Sequence, residues 1–429
     1  MVNINLATYT DPNSLIETQD LLSRYFNFFF DDGCVVQTEF DSFLLLSNPT
    51  QLDFSFLKEF KSAKLSISSS SKCFLSPFYR EYDLQFCQYS HGLTINRADL
   101  TNLLKGFINH AQKTLPNIQD NTLNTNQSIT WTQPGFIEFE KSFTQIKSWF
   151  AQYGTQKAVP TIYEYSTWIP NSYFTRAQLL LNSIENSAQH QKVYGVFHEG
   201  RLNTTNHPKF GMIGSTPEIL FELKNGNLKT VAIAGTLKKS PTTQKDDLLK
   251  SQKDLHEHHC VVQFITNKLS RFGAVSTKGP YVVELPTLYH LKTDINIDHV
   301  DIEPLNLINL LHPTPALGML SSFQNWTDLS RLPFQKDRQY YGTPLTIQID
   351  ENHFLSLVCI RNLEWNKTGS YISSGCGIVW ESQLIAEWDE LELKRESVKK
   401  MLGFYNSTEQ NISSNTNPKF NENGIELNL

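Results

Sequence analysis

The hydrophobic pattern after position 150 predicts strands that follow one another in hairpins. Asn225-Gly226 is a two-residue turn signal, and it separates the strand-like runs 210–224 and 228–234. Other strand-like runs cover 157–168, 192–198, 281–290 and 345–379, and helical patterns cover 98–112, 136–153 and 244–272. Antiparallel hairpins with helices inserted between them are typical of an α+β fold rather than of a regular βαβ repeat.

The composition excludes several classes of protein. The 429 residues carry a net charge of −6, which argues against a nucleic-acid partner. No apolar run reaches the roughly 20 residues that a membrane span needs, and the N-terminal stretch lacks the features of a signal peptide. The six cysteines form no CxxC pair, so they are expected to be buried thiols in a reducing compartment. We therefore expect a cytoplasmic protein with no membrane partner.

The chain divides into three parts. Residues 1–128 carry no chemical motif and are predicted to form a divergent N-terminal subdomain that acts as scaffold. The polar stretch 117–130 is predicted to be a loop at its boundary. Residues 129–404 are predicted to hold the catalytic region, and the Asn- and Ser-rich segment 405–429 is predicted to be a disordered tail.

The segment 373–400 contains two features that suit a ligand. Gly375 and Gly377 end a strand-like run, where missing side chains let an anion approach the backbone N–H groups. Glu387, Glu390 and Lys394 follow at i, i+3 and i+7, which places them on one face of a helix. Such a stripe is either a solvated, salt-bridged surface or one wall of a site, and the spacing alone leaves both open.

The predicted helix 244–272 carries a second candidate group. His256 and Cys260 have i, i+4 spacing, but the HExxH pattern is absent and no third soft ligand is marked, so zinc is disfavoured. The alternative is that Glu257 faces Glu387 and Glu390 across a cleft. Three carboxylates from two helices suit a hard octahedral cation such as Mg²⁺.

Eight segments occur in an order that is similar to the chorismate-utilising enzyme family, and to its isochorismate synthase branch in particular. They are GSTPE (214–218), AIAGT (232–236), QKDLHEHHCVV (252–262), LPTLYHL (285–291), LLHPTPALG (310–318), DRQYYG (337–342), CIRNL (359–363) and SGCGIV…AEWDELELK (374–394). The resemblance covers residues from about 150 to 403, and no tryptophan-binding Leu-Leu-Glu-Ser motif is visible before it.

This resemblance implies two packed antiparallel sheets with outer helices and an active site in the cleft. It implies that Glu257 and Glu390 bind Mg²⁺, with Glu387 close by, and that the metal holds the ring carboxylate of chorismate. Lys394 would support that carboxylate. The other implied substrate-binding residues are Tyr341, Arg361, Gly375 and Gly377, which would hold the enolpyruvyl carboxylate, together with Gly235, His290 and Ala316.

The same resemblance points to one branch of the family. Lys157 stands where isochorismate synthases carry the lysine that activates water. Ala234 stands where some aminodeoxychorismate synthases carry a nucleophilic lysine, and Ala316 stands where pyruvate-eliminating enzymes usually carry Thr. The implied reaction is attack of water on ring C2 with loss of the C4 hydroxyl. Lys157 would accept a proton from water, and Glu218, kept protonated by burial, would give one to the leaving hydroxyl.

Some residues depart from the family pattern and keep alternatives open. Pro160 follows Lys157 where the family usually has Val-Val-Leu-Ser-Arg, and Gln252 replaces a common Glu. One alternative is an amine-forming or pyruvate-eliminating enzyme: an anthranilate, aminodeoxychorismate or salicylate synthase. A glutamine amidotransferase partner is expected only for the amine-forming enzymes. Another is a degenerate protein that binds chorismate without turnover. An isochorismate product would serve menaquinone or siderophore synthesis.

Overall fold

A computed structural model describes residues 12–49, 54–75, 78, 85–114, 129–198, 210–285, 287–404, 419–420 and 426–427. Its α-helices are α1 (Pro12–Asp31), α2 (Arg97–Thr114), α3 (Phe136–Tyr153), α4 (Tyr173–Asn186), α5 (Gln252–Leu269), α6 (Pro304–Leu311) and α7 (Leu384–Leu402). Short 3₁₀ helices lie at Ser55–Glu59, Lys245–Lys250, Ser270–Phe272, Trp326–Arg331 and Gln335–Arg338.

The strands of the first half are β1 (Asp32–Glu39), β2 (Ser42–Ser47), β3 (Lys64–Leu75), β4 (Gln85–Asn96), β5 (Thr155–Ala158), β6 (Thr161–Ser166), β7 (Lys192–His198), β8 (Phe210–Thr216) and β9 (Ile219–Lys224). Those of the second half are β10 (Asn227–Lys238), β11 (Ser276–Glu284), β12 (Leu288–Ile297), β13 (Met319–Ser321), β14 (Pro344–Asp350), β15 (His353–Val358), β16 (Asn362–Asn366), β17 (Ser370–Gly375), β18 (Lys419–Phe420) and β19 (Glu426–Leu427).

Fifteen strands form one hydrogen-bonded series in the order β11-β12-β10-β9-β15-β14-β3-β4-β2-β1-β7-β8-β16-β17-β6. Neighbouring strands in this series run antiparallel; for example, Leu345 of β14 lies opposite Leu75 of β3, and Val35 of β1 lies opposite Gly195 of β7. The four N-terminal strands therefore occupy the middle of the series and join its two halves. β5 and β13 form a separate small sheet.

The two halves of the strand series share a core that contains no helix residue. Side chains of β1, β2, β7 and β8 form one buried cluster with side chains of β14 and β15, including Val36, Leu44, Met212, Leu345 and Leu357. Because side chains alternate along a strand, Val35 points away from its neighbours Cys34 and Val36 and belongs to a different cluster. The prediction of an α+β fold with packed antiparallel sheets is confirmed, and one continuous strand series links the facing layers.

The helices lie on the outer faces of this sandwich. The apolar face predicted for α2 is buried with α1, α4 and α7, and it includes Leu100, Leu103, Leu104 and Phe107. On the other side, α5 and α6 pack against β9, β10 and β12 through residues such as Val261, Ile265 and Leu307. Burying each amphipathic stripe against a sheet leaves the cleft between α5 and α7 for polar side chains.

Four predicted elements are wrong in their bounds. The predicted strand 210–224 is divided into β8 and β9 at residues 217–218. The predicted helix 244–272 contains α5 only from Gln252, because the Ser251 hydroxyl accepts from the Asp254 N–H and caps a new helix there. The predicted strand 157–168 is divided into β5 and β6 at Pro160. The predicted strand 281–290 contains the end of β11 at Glu284 and the start of β12 at Leu288, and these two strands pair antiparallel.

Some predictions fall on residues outside the described part of the chain. These include most of the loop 117–130, the boundary at residue 128, and the tail after 404 apart from the β18–β19 pair. Among the described helices, none is both long enough and apolar enough to span a membrane. The cytoplasmic location stays a prediction.

Candidate active site

The charged face of α7 lines an internal cleft and is not a solvated surface. The Lys394 ammonium donates to the Gly375 carbonyl at 2.7 Å and pairs with Glu390 Oε1 at 2.6 Å. Glu387, one turn earlier, has a side chain only 2% exposed. Glu387, Glu390 and Lys394, at i, i+3 and i+7, therefore lie beside the end of β17. This arrangement agrees with the interpretation of the stripe as one wall of a site.

A second wall of the cleft comes from the first turns of α5. The Glu257 carboxylate lies between two lysines: Lys157 Nζ is 3.0 Å from Oε1, and Lys253 Nζ is 3.4 Å from Oε2. Lys253 also reaches across to α7, where its Nζ lies 3.0 Å from Glu387 Oε1. The prediction that Glu257 and Glu387 face the same cleft is thus matched by the geometry, with a lysine between them.

Lys157 is held in the cleft by backbone hydrogen bonds on both sides of β5. It lies opposite Leu320 of β13, and the next residue, Ala158, exchanges backbone hydrogen bonds with Ile378 at 2.9 and 3.1 Å. Pro160 lies in the break between β5 and β6, where it removes no ladder hydrogen bond. The departure at Pro160 therefore leaves the lysine in the buried cluster.

The Lys157–Glu257 ion pair requires a glycine at position 377. A Cβ at this position would lie 2.0 Å from Glu257 Oε1 and 2.6 Å from Lys157 Cε. Any larger residue would push the two charged groups apart. The backbone of Gly377 and the Lys157–Glu257 pair therefore fit together only because the side chain is missing.

A bulge in β10 provides the third wall. The register of β10 against β12 shifts between Ala234 and Thr236, and Gly235 takes a left-handed conformation with φ of 80°. The Thr236 hydroxyl is thereby aimed at Glu390 Oε1 at 3.1 Å, and it also lies 3.2 Å from His290 Nδ1. The bulge thus ties Glu390 to the β10–β12 hairpin.

Arg361 and His290 form a buried pair whose protonation follows from geometry. Arg361 Nη2 donates to His290 Nε2 at 3.1 Å, so that nitrogen must be the acceptor. The Nδ1–H then donates to the Gly235 carbonyl at 3.1 Å. Burial, with the nearby guanidinium, lowers the pKa of His290 to about 3, so the ring is neutral. Arg361, itself at φ of 56°, is held by this ring and by the Ser397 hydroxyl at 3.0 Å.

Glu218 lies between β8 and β9 with its carboxyl group in the same interior. Burial raises its pKa to about 7, although the Lys157 ammonium and the Thr314 hydroxyl act in the opposite direction. Its backbone N–H donates to the Thr216 hydroxyl at 3.1 Å. A carboxyl group with this pKa is partly protonated at neutral pH, and the role of Glu218 as a proton donor stays a prediction.

The remaining predicted residues border the same cleft. Tyr341 is buried and lies near Lys394, Arg361 and the Gly375 backbone, and burial raises its pKa. The Ala316 N–H donates to Thr314 Oγ1 at 3.2 Å, and the Ala316 side chain is partly buried. The same Thr314 hydroxyl interacts with Glu218. By contrast, His256 lies outside, 3.2 Å from Glu381 Oε2, which argues further against a zinc site with Cys260.

The carboxylates in the cleft differ in acidity because their lysine neighbours differ. Burial alone would raise the pKa of Glu257, but Lys157 and Lys253 outweigh it and lower the value to about 2. Burial is likewise outweighed at Glu390, whose pKa is lowered by Lys394 and Lys253. For Glu387, burial wins and raises the pKa to about 7, with Glu390 and Glu257 adding to the effect. One carboxylate of the three is therefore poorly compensated.

Comparison with known proteins gives this geometry a family. A family model described as chorismate binding enzyme matches residues 171–403, which is more than half of the chain. The chain belongs to the chorismate binding enzyme family.

Several members of the family are similar in sequence. The chain is 32% identical over 198 residues to the salicylate biosynthesis isochorismate synthase of Pseudomonas aeruginosa, a match that covers 44% of this chain and 41% of the relative. It is 27% identical over 232 residues to the isochorismate synthase MenF of Bacillus subtilis, covering 52% and 47%. Anthranilate synthase component 1 of Saccharolobus solfataricus matches at 28% over 207 residues, covering 45% and 48%. The chain thus spans about half the length of the curated relatives it matches.

Solved structures show the same fold in this chorismate binding enzyme. A putative 2,3-dihydroxybenzoate-specific isochorismate synthase, DhbC from Bacillus anthracis, superimposes with a TM-score of 0.67 at 18% identity, covering 90% of this chain and all of that one. Anthranilate synthase component I from Streptococcus pneumoniae gives a TM-score of 0.56 at 14% identity, covering 94% and 95%. The predicted family and fold are therefore confirmed.

The acidic residues of this family member suit Mg²⁺ in donor chemistry and in unsatisfied bonding. Glu387 Oε2 is buried and has no hydrogen-bond partner within the described part of the chain, and Glu257 and Glu390 contribute further hard oxygen donors. Among the described residues, however, no three acidic, His or Cys side chains are already arranged around one metal position. Lys253 lies between two of them instead. The magnesium site stays a prediction.

Two polar residues of the cleft were not predicted as site residues from the sequence. Lys253 precedes Glu257 by four positions, a spacing that brings side chains together on a helix and was visible in QKDLHE. Thr236 ends AIAGT, but its contact with Glu390 depends on the bulge at Gly235, for which the sequence offers only the glycine. Lys253 contacts the carboxylates of Glu257 and Glu387, and Thr236 contacts that of Glu390.

Proposed function

We propose that this chain is an isochorismate synthase that converts chorismate into isochorismate with Mg²⁺. The observation that carries the proposal is that a buried lysine, Lys157, and a buried carboxyl group whose pKa is raised by burial, Glu218, lie close enough to interact electrostatically. Two of the relatives are named isochorismate synthases, which supports the same choice within the family.

The cleft contains the cations that a dianionic substrate needs. Tyr341 borders the Gly375 backbone and lies near Arg361, and the two residues are proposed to bind the enolpyruvyl carboxylate, for which the planar guanidinium is suited. Lys394 is proposed to support the ring carboxylate. Glu257, Glu387 and Glu390 would hold Mg²⁺, which when bound would neutralise and orient that carboxylate.

The proton transfers are assigned to the chain's own residues. In the proposed reaction, the Lys157 ammonium first gives up a proton to solvent, and the resulting amine accepts a proton as water attacks ring C2 of chorismate. Glu218 in its acid form gives a proton to the C4 oxygen, which leaves as water while the ring double bonds shift. One water is consumed and one released, so the net change is an isomerisation. Lys157 and Glu218 interact electrostatically, and a return of the proton from one to the other restores both.

The other predicted residues fix the shape of the cleft in this proposal. Gly235 forms the bulge that aims Thr236, and neutral His290 orients Arg361. Ala316 has no hydroxyl to support a further step, so isochorismate is proposed as the released product. Each of these residues acts by position rather than by proton transfer.

The test is a product analysis with purified full-length chain, chorismate and Mg²⁺ in the absence of ammonia. We expect isochorismate as the chromatographic product, and we expect it to disappear when EDTA is added and to return with excess Mg²⁺. Formation that persists in EDTA would contradict the metal requirement. Formation of salicylate and pyruvate would place the chain among the pyruvate-eliminating enzymes.

A second candidate function is supported by the match to anthranilate synthase component 1. In that case, turnover would begin only when ammonia or a glutamine amidotransferase partner is supplied. Binding of chorismate without turnover under either condition would favour the degenerate binding protein. The same chromatographic experiment with and without ammonium salt separates these outcomes.

A further inference from the structure

Lys253 lies in the middle of the acidic cluster. Its ammonium is 3.0 Å from Glu387 Oε1 on α7 and 3.4 Å from Glu257 Oε2 on α5, so one charged group links the two helices. Asp254 Oδ1 lies 3.6 Å away. The attraction of these carboxylates outweighs the effect of burial and raises the pKa of Lys253, so the side chain is positively charged throughout the range in which enzymes work.

Each carboxylate of the cluster already has an ammonium partner without a metal ion. Glu257 pairs with Lys157 and Lys253, Glu387 pairs with Lys253, and Glu390 pairs with Lys394. Asp254 adds a fourth carboxylate beside Lys253. A divalent cation between Glu257 and Glu387 would compete with Lys253 for the same oxygens and would place its charge next to an ammonium group in a buried space, which is strongly unfavourable. Binding of such a cation therefore requires one ammonium group to leave.

Two of the three lysines are fixed by their surroundings. Lys157 is 1% exposed and packs against Gly377, and Lys394 is bound to the Gly375 carbonyl as well as to Glu390. Lys253 is 23% exposed, and its described polar contacts are all to carboxylates. It is also the group that stands between Glu257 and Glu387. Lys253 can therefore turn outward at the lowest cost.

We propose that Lys253 is an internal counter-ion that occupies the place of the divalent cation between Glu257 and Glu387 and swings outward when Mg²⁺ binds. This inference rests on the proposed magnesium site. Without bound metal, Lys253 holds the Glu257 and Glu387 carboxylates together. It competes with Mg²⁺ for them and so sets the Mg²⁺ concentration at which the site fills. It is a positioning residue that acts through the carboxylates and does not touch the reacting atoms.

The first test uses the wild-type chain and measures how readily individual lysines react with acetic anhydride, with peptide mass spectrometry as the readout. Adding Mg²⁺ should release Lys253 and increase its acetylation rate roughly 3- to 10-fold, because an ammonium held by two carboxylates is a poor nucleophile. Lys250, which is exposed and lies outside the cluster, serves as the internal control and should not change. An unchanged or slower reaction at Lys253 would overturn the proposal.

The second test measures Mg²⁺ binding by calorimetry in Lys253→Met, with Lys250→Met as the matched control. We expect Lys253→Met to bind Mg²⁺ about 10- to 100-fold more tightly than the wild type, since charge-assisted contacts no longer compete with the metal. Lys250→Met should bind as the wild type does. Equal or weaker binding by Lys253→Met would refute the role of Lys253 even if the metal site exists.

A third measurement covers the case in which Lys253→Met folds poorly without metal. Its melting temperature in EDTA should lie below that of the wild type, because the carboxylates repel one another, and Mg²⁺ should raise it by more than it raises the wild-type value. Equal shifts in the two proteins would count against the proposal. If neither protein binds Mg²⁺, the proposed metal site is refuted as well. If Lys253 responds to Mg²⁺ as expected but no isochorismate forms, only the proposed activity is refuted.

Discussion

Lys157 Nζ lies 3.0 Å from Glu257 Oε1, and both side chains are buried. The pair joins β5 to α5 across the cleft, and the missing side chain of Gly377 leaves room for it. A buried ion pair is expensive to break because the remaining partner keeps an uncompensated charge. This relationship makes Lys157 important for both the proposed chemistry and the structure, and experiments on it have to separate the two.

Replacing Lys157 with Ala should abolish turnover while chorismate still binds. The proposed general base is removed, so kcat should fall by a factor on the order of 10²–10⁴. Chorismate binding, followed by calorimetry, should change little because Arg361 and Lys394 remain. Lys250→Ala is the control and should retain wild-type kcat. Wild-type turnover in Lys157→Ala would remove the assignment of the base.

Gly377→Ala should leave a folded but weakly active protein. The added Cβ meets the ends of two flexible side chains, so Glu257 and Lys157 can move aside, but their pairing is then lost. We expect kcat/KM to fall by about 10²-fold or more, as is typical when a reacting group is displaced by about 1 Å.

The matched control for this change is Gly106→Ala in α2. A Cβ there meets only Leu22 Cδ2 at 3.6 Å, so the substitution should increase the free energy of unfolding by about 0.4–1 kcal/mol without loss of activity. Circular dichroism melting curves and steady-state kinetics of both variants test the contrast. Equal activity in Gly377→Ala and the wild type would show that the fit around Gly377 is unimportant.

The rate should fall on the alkaline side of neutrality. Glu218 must carry a proton to act as the proposed acid, and burial raises its pKa to about 7. Above that pH, the fraction of Glu218 in its acid form decreases roughly tenfold per pH unit, and the proposed proton donation should slow in proportion. In Glu218→Gln this pH dependence should disappear together with most of the activity. A pH–rate profile that is flat from pH 6 to 9 in the wild type would contradict the assignment.

The same carboxyl group should make the protein less stable at high pH. The pKa of Glu218 is raised from 4.5 on folding, so its contribution is fully present below pH 4.5 and is lost as the pH rises through about 7. Glu218→Gln should therefore be more stable than the wild type at pH 8, by roughly 1–3 kcal/mol in the free energy of unfolding. Denaturant unfolding curves at pH 5 and pH 8 measure the difference.

Glu364 offers a matched control for this effect. Burial raises its pKa to about 7 as well, but it is hydrogen-bonded to Asn362 and the Tyr340 N–H and is not assigned to the reaction. Glu364→Gln should show the same direction of stabilisation at pH 8 and keep the alkaline decrease of the rate. Loss of that decrease in Glu364→Gln would show that the wrong carboxyl group had been chosen.

Arg361→Lys should weaken substrate binding more than turnover. The guanidinium is buried and held by His290 and Ser397, and its remaining donors are the ones proposed to bind a substrate carboxylate. A lysine keeps the charge but loses this fork, so KM should rise by about 10- to 100-fold. Arg331→Lys, at an exposed position, should leave KM unchanged. A decrease confined to kcat would indicate a different role for Arg361.

The sequence was sufficient where local spacing determines the geometry. The α7 stripe of Glu387, Glu390 and Lys394 is fixed by helical periodicity, and all three side chains reach the cleft. The Asn225-Gly226 turn has both residues at positive φ, 50° and 77°, as a tight hairpin requires. In both cases the local geometry depends only on residues that are close together in the sequence.

The sequence was insufficient where a contact joins distant segments. No local pattern shows that β3 pairs with β14, or that Lys253 on α5 reaches Glu387 on α7. The predicted strand 281–290 was wrong because β11 ends at Glu284 and β12 begins at Leu288, and a β-like pattern alone does not show where the chain reverses. Such features depend on packing between elements that are far apart in the chain.

The position of the N-terminal strands has a consequence for any attempt to isolate the catalytic region. β1 pairs with β7 and β3 pairs with β14, so deletion of residues 1–128 would uncover two long strands at once. Exposed backbone donors and acceptors on such edges promote association between chains. Strands β1 to β4 are therefore a structural part of the sandwich that holds the candidate active site, and a shortened version is expected to aggregate.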